Sequence, residues 1–175
     1  RGMILGAAVG DALGAGYEFN KPDPDLEPGM IGGGLGPFAP GEWTDDTSQT
    51  WLVAWAAAQH KTFAGDAPMD VVARGLKRWA DTNPPDMGGN TGRVLRNVPA
   101  IPKARRMTDV AIEVCGSTNG SLMRTSPVVL PYLNDPLGLP EAAMRVSALT
   151  HTHTRAMQAC ALWCLILRHA VMEGE

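Results

Sequence analysis

The stretch GEWTDDTSQTWLVAWAAAQ, residues 41–59, sets two adjacent carboxylates, Asp45 and Asp46, in front of an almost wholly apolar run. The run is rich in Ala and lacks the apolar–polar alternation of a strand, so it predicts a buried helix from about Asp46 to Gln59. One acid at its start is expected. Asp46 with Gln49 three residues on is a capping-box variant, and a carboxylate is favoured at the positive end of a helix. The second acid needs another reason, because two carboxylates side by side in a dry place repel each other unless something positive sits beside them. Thr44, Asp45 and Asp46 offer a hydroxyl and two carboxylates from one tight turn, a donor set suited to Mg²⁺, Mn²⁺ or Ca²⁺. On spacing alone, capping and cation binding both stay open.

Working outward, helical signals continue on both sides. Toward the N terminus, Gly2, Gly6, Gly10 and Gly14 recur every fourth residue and predict a seam where another helix can approach closely. Asp11 and Glu18, seven residues apart, project from nearly the same face. Residues 20–43 are rich in Gly and Pro and read as one long irregular loop, a length that is usually functional or mobile. Within it, GMIGGGLG (29–36) neither follows a strand nor opens a helix, which rejects a dinucleotide-binding reading.

Toward the C terminus, a helix is expected over about 69–82, ending before Pro84-Pro85. Residues 86–96 read as a turn leading into a short helix, and PKARRM (102–107) as a short solvated basic loop. GSTNGSLMRTSPVVLP (116–131) reads as a polar turn opening a short apolar helix. Its small residues could aim backbone N–H groups at an anion, or form an ordinary Asn-Gly turn with Arg124 as a plain surface charge. A helix starts at Pro140 and runs to about Thr150. The THTHT break at 150–154 leads into a final helix to about Met172. His151 and His153 alternate, so they do not share a helix face. Either this is a capped break, or one His bonds a phosphate or sugar.

At 175 residues, with 45% hydrophobic composition and no internal repeat or linker, the chain reads as a single helical domain over 1–175. A net charge of −3 and a pI near 5.8 argue against nucleic acid as the main partner. Three cysteines in no spaced framework point to a reducing, cytoplasmic setting, and Cys160 and Cys164, one turn apart, read as buried core thiols. No membrane span is expected, since the apolar run 159–167 is too short. The basic start at Arg1 and its apolar sequel are broken by Asp11, and no cleavage pattern of a signal peptide follows.

Taken in order, GAAVGDALGAGYE (6–18), GEWTDDTSQ (41–49), PPDMGGNTGR (84–93), NGSLMRTSP (119–127) and ALTHTHTRA (148–156) resemble the ADP-ribosylglycohydrolase family over nearly the whole chain. WTDDTSQ and NGSLMR are the most specific blocks. The resemblance implies an all-α fold, a compact orthogonal helical bundle, with two divalent cations, Mg²⁺ or Mn²⁺. It implies hydrolysis of the glycosidic bond between ADP-ribose and an acceptor on a protein or small molecule. Arginine is favoured as the acceptor, with serine or a small molecule as alternatives.

By the same resemblance, Thr44, Asp45 and Asp46 form the first metal block, and Glu18 matches an acid placed at the metal centre in serine-type members. Asp86 and Gly88 match an acid–glycine turn near the scissile bond in arginine-type members. Asn119, Gly120 and Ser121 match a phosphate-facing turn, and His151 a residue that contacts ADP-ribose. Asp46 and one of Asp86 and Glu18 would carry the chemistry, the latter as general base or proton relay.

The family's later D-x-D-T block is not matched, since Asp23-Pro24-Asp25 stands on the wrong side of Asp45. The expectation is therefore the N-terminal portion of a longer domain, with half of the metal site elsewhere, in the same chain or on a second polypeptide. The alternatives are a non-catalytic ADP-ribose-binding or structural protein on the same fold, or a plain helical domain with one acidic cation site.

Overall fold

The computed structural model describes residues 2–21 and 23–174. Arg1, Pro22 of the expected loop and Glu175 lie outside the described residues. Among the described residues seven α-helices follow one another: α1 Gly2–Gly14, α2 Asp45–His60, α3 Ala67–Ala80, α4 Gly89–Arg96, α5 Ala104–Val114, α6 Leu139–Ala148 and α7 Thr154–Glu173. Short 3₁₀ turns lie at Ala15–Tyr17, Leu122–Arg124 and Ser126–Tyr132. The β pairing among the described residues is one isolated bridge between Gly33 and Phe38.

The core forms where apolar residues repeat at helical spacing. On α3, Met69, Val72, Ala73 and Leu76 are all buried at i, i+3, i+4 and i+7. They meet Val53, Ala56 and Ala57 of α2 and Met107, Val110 and Ala111 of α5 in one cluster. Ala142, Ala143 and Val146 of α6 and Cys160 and Cys164 of α7 complete it. Both cysteines are free and fully buried, and burial pushes the Cys164 thiol up to about 12. No helix among the described residues is long and apolar enough to cross a membrane.

Four expectations are corrected here. The basic stretch at 104–107 opens α5 instead of a solvated loop, with Ala104 and Met107 buried. Asp70 of α3 holds that start, accepting from Ala104 N–H and Lys103 Nζ at 2.8 Å each. Against the upward push of burial, these bonds keep the Asp70 carboxyl below its usual range. The apolar segment Ser126–Tyr132 is a 3₁₀ turn, not an α-helix, with Pro127 and Pro131 each removing a backbone donor. The segment 51–58 is buried on one face only, since Trp51 and Trp55 are 63% and 53% exposed.

The fourth correction concerns the glycine seam. A Cβ built at Gly2, Gly6, Gly10 or Gly14 would meet nothing within 4 Å, so no described helix uses it. The close approach comes just after α1. A side chain at Gly16 would collide with the Gly32 backbone, and one at Gly34 with the Ala15 carbonyl. Gly32 and Gly34 also hold φ of +67° and +82°. The glycine-rich loop thus seats itself against the end of α1 and brings Glu18 beside α2.

Candidate active site

The start of α2 is capped from outside its own segment. Thr44 is the N-cap, and its Oγ1 accepts the Asp46 N–H at 3.4 Å. Asp11 of α1 completes the cap. Its Oδ2 accepts the Thr44 N–H (2.9 Å) and the Thr47 N–H (3.0 Å), and its Oδ1 accepts the Thr44 hydroxyl (2.7 Å). The expected Asp46–Gln49 capping box does not form. Gln49 is fully buried and donates from Nε2 to Asp45 Oδ2 at 3.3 Å, while its Oε1 accepts from Arg124 Nη1 at 2.9 Å. Asp45 and Asp46 are therefore relieved of capping and stand as the first two helical residues.

Both face a cleft of about 1130 Å³. Glu18, Asp45, Asp46 and Asp86 line it together with Gly88, Asn90, Thr118, Asn119, Gly120 and His151, so residues of all five sequence blocks meet on one cavity. Thr44 does not reach it. With Asp11, Glu18, Asp45 and Asp46 it lines a second, smaller hollow of about 360 Å³. The expectation for Ser121 is corrected. Its side chain is fully buried beneath the turn, with Oγ 2.8 Å from Ser147 Oγ, and lies outside the cleft lining. The turn leads into only three 3₁₀ residues, so no α-helix start is aimed at an anion there.

The carboxylates repel one another. Burial, then Asp86, Asp46, Glu18 and Asp11, pushes Asp45 up to about 7. Burial, then Asp11, Glu18 and Asp86, pushes Asp46 to about 6. Glu18 and Asp86 are raised for the same reasons, with the Met87 N–H opposing the rise at Asp86. The charges that raise these four are other carboxylates, the buried Arg124 bears only on Asp45, and none of the four is among the ion pairs of the described residues. Such a group suits a hard cation in kind. It does not suit one in number, since no three His, Cys, Asp or Glu side chains among the described residues converge closely enough to hold an ion.

The sequence misplaced Arg124. It is fully buried, with Nη2 donating to Thr150 Oγ1 (2.6 Å) and to the Val146 and Ser147 carbonyls (3.3 and 3.4 Å). Burial lowers it to about 10, with Cys160 and Asp45 opposing the fall, so it stays charged at neutral pH. His151 is 1% exposed, with Nδ1 2.8 Å from Thr150 Oγ1 and Nε2 3.0 Å from Thr118 Oγ1. Burial, then Arg124, lowers its pKa to about 4, so it is neutral at pH 7. His153 caps α7, its Nδ1 accepting the Arg155 N–H at 3.3 Å. Arg124 carries no local sequence signal, because a lone Arg beside a Thr reads as surface. Trp163 and Val171 of α7, which also line the cleft, read as core.

Fold and cleft together define a helical protein whose cleft sets clustered carboxylates at one part and the Thr118–Gly120 turn with His151 at another. The chain belongs to the ADP-ribosylglycohydrolase family, whose model matches residues 1–175. It is 29% identical over 177 residues to the ADP-ribosyl-[dinitrogen reductase] glycohydrolase of Rhodospirillum rubrum, covering 97% of this chain and 57% of that one. It is 27% identical over 180 residues to the ADP-ribosylarginine hydrolase Tri1 of Pseudomonas putida, covering 99% and 47%. An uncharacterized protein of Archaeoglobus fulgidus is 32% identical over 167 residues, covering 90% and 50%. The chain thus spans about half the length of the curated relatives it matches.

Proposed function

We propose that this chain carries the ADP-ribose cleft and the first half of the metal site of an ADP-ribosyl hydrolase, with ADP-ribosyl-arginine as the favoured substrate. The observation behind this reading is the meeting of Glu18, Asp45, Asp46 and Asp86 with Asn119, Gly120 and His151 on one cavity. Similarity to two relatives named for glycohydrolase activity on ADP-ribosylated dinitrogen reductase and arginine supports it.

Asp45 and Asp46, with Glu18 beside them, would hold divalent cations, Mg²⁺ or Mn²⁺. Thr44 would act chiefly through its cap. When bound, the cations would fix the ribose hydroxyls near the anomeric carbon and offset charge developing there. The remaining oxygen ligands would come from polypeptide outside these residues, in the same chain or a second one. Asp86 or Glu18, the two cleft carboxylates outside the Asp pair, would take the proton of the attacking water or pass one to the leaving group. Asn119 and Gly120 would face the diphosphate, and α7 would close one wall with Trp163.

The shortage of converging metal ligands in these residues favours a second reading, an ADP-ribose-binding module without catalysis. Release of ADP-ribose from ADP-ribosyl-arginine by the polypeptide carrying this chain separates the two. The hydrolase reading expects activity that needs Mg²⁺ or Mn²⁺, disappears with chelator, and falls about a hundredfold or more in Asp46→Ala. Tight ADP-ribose binding with no turnover under any divalent ion would leave the binding module.

A further inference from the structure

The hydrogen bonds around His151 form a chain whose direction is fixed at one end. A guanidinium has only donors, so Arg124 Nη2, at 2.6 Å, makes Thr150 Oγ1 an acceptor. Thr150 is itself fully buried, and the acceptor beside its own proton is His151 Nδ1 at 2.8 Å. His151 therefore accepts at Nδ1 and carries its proton at Nε2. That proton goes to Thr118 Oγ1, 3.0 Å away. Asn90 Nδ2 donates to the same oxygen at 2.9 Å. The Asn90 amide cannot be reversed, because its Oδ1 accepts the Gly116 N–H (3.3 Å) while Nδ2 also reaches the Gly116 carbonyl (3.0 Å).

Two donors fill both lone pairs of Thr118 Oγ1. Its own proton has no acceptor among the described residues. Thr118 is exposed and lines the cleft next to Asn119 and Gly120.

We propose that the Thr118 hydroxyl is a donor of fixed polarity that binds a phosphate oxygen of the ligand. The inference rests on the reading of the cleft as an ADP-ribose site and adds a specificity-determining residue to it. A group meeting Thr118 must bring a lone pair, which a phosphate oxygen always does and an amide N–H never does. Charge favours the same ligand. The charge acting on His151 is Arg124 and none of the carboxylates, so this part of the cleft stands apart from the acidic cluster. The chain is also rooted on a buried cation, which polarises each successive hydroxyl and imidazole N–H outward.

The test combines calorimetry on Thr118→Val and Thr118→Ser with ¹⁵N shifts of His151, using ADP-ribose, inorganic diphosphate and adenosine as probes. At pH 7, His151 should show a bare Nδ1 and a protonated Nε2. Thr118→Val should weaken ADP-ribose and diphosphate about tenfold or more, Thr118→Ser should restore both, and adenosine should not respond. Thr118→Val also takes the acceptor from His151 Nε2 and Asn90 Nδ2, so it should melt earlier than wild type while keeping the wild-type helical signal below the transition, and Thr118→Ser should match wild type in both. A protonated Nδ1, or unchanged affinity for both phosphate probes in Thr118→Val, overturns the proposal. So does a wild-type chain that binds neither phosphate probe. Diphosphate weakened by Thr118→Val with ADP-ribose unbound keeps the proposal and removes the ADP-ribose reading. Equal ADP-ribose binding by all three proteins does the reverse.

Discussion

Asp11 and Thr44, 33 residues apart, are joined twice: Asp11 Oδ1 accepts the Thr44 hydroxyl at 2.7 Å and Oδ2 accepts its N–H at 2.9 Å. The link ties α1 to the first turn of α2 and leaves Asp45 and Asp46 free to face the cleft. Asp11→Ala removes three acceptor contacts from a helix start and should cost about 2 kcal/mol in urea unfolding. Asp11→Asn, which keeps one acceptor oxygen, should cost less. Equal stability of Asp11→Ala and the wild type would mean that Thr44 alone suffices as the cap.

Behind the pair, Gln49 joins Asp45 to the buried Arg124. Arg124→Met keeps the bulk but strips the donors from Gln49 Oε1, Thr150 Oγ1 and two carbonyls, a loss of about 2–4 kcal/mol. Arg124→Lys keeps the charge without the fork and should recover only part of it. Chemical denaturation of the two variants checks this ordering. A Lys variant as stable as wild type would show that charge alone matters at this position.

The acid side of the stability curve should carry a His151 signature. The folded pKa is lowered to about 4, against about 6.5 in an unfolded chain. The unfolded chain then binds more protons between those values. The His151 contribution is fully present above about pH 6.5 and is lost as pH falls toward 4, at no more than ~1.4 kcal/mol per pH unit. The raised carboxylates Asp45 and Asp46 act in the opposite sense, so the readout is the difference between wild type and His151→Asn. That difference should narrow on acidification. A gap constant from pH 7.5 to 4.5 would show that His151 accepts a proton in the folded state.

The sequence made local order legible and cross-chain pairing illegible. Met69, Val72 and Leu76 announce α3 because burial and helical spacing coincide. α5 carries the same spacing in Met107, Val110 and Ala111, but Lys103, Arg105 and Arg106 at its start draw the eye to charge. The five blocks order correctly along the chain, yet nothing in NGSLMR tells that Asn119 and Gly120 face the cleft while Ser121 and Arg124 turn into the core. That sorting depends on Ser147 and Thr150, which α6 brings in from about 26 residues away. The Asp11 cap is hidden for the same reason: its partners lie on another helix.

The divalent cation proposed at Asp45 and Asp46 is tested most directly by titrating Mn²⁺ into the polypeptide that carries this chain and following the free-ion electron paramagnetic resonance signal, with and without ADP-ribose. Asp45→Asn and Asp46→Asn are measured beside the wild type. The account predicts that the wild type depletes free Mn²⁺, that ADP-ribose strengthens the binding, and that each Asn variant abolishes the tight component while retaining helicity. Undiminished Mn²⁺ binding in both variants would contradict it.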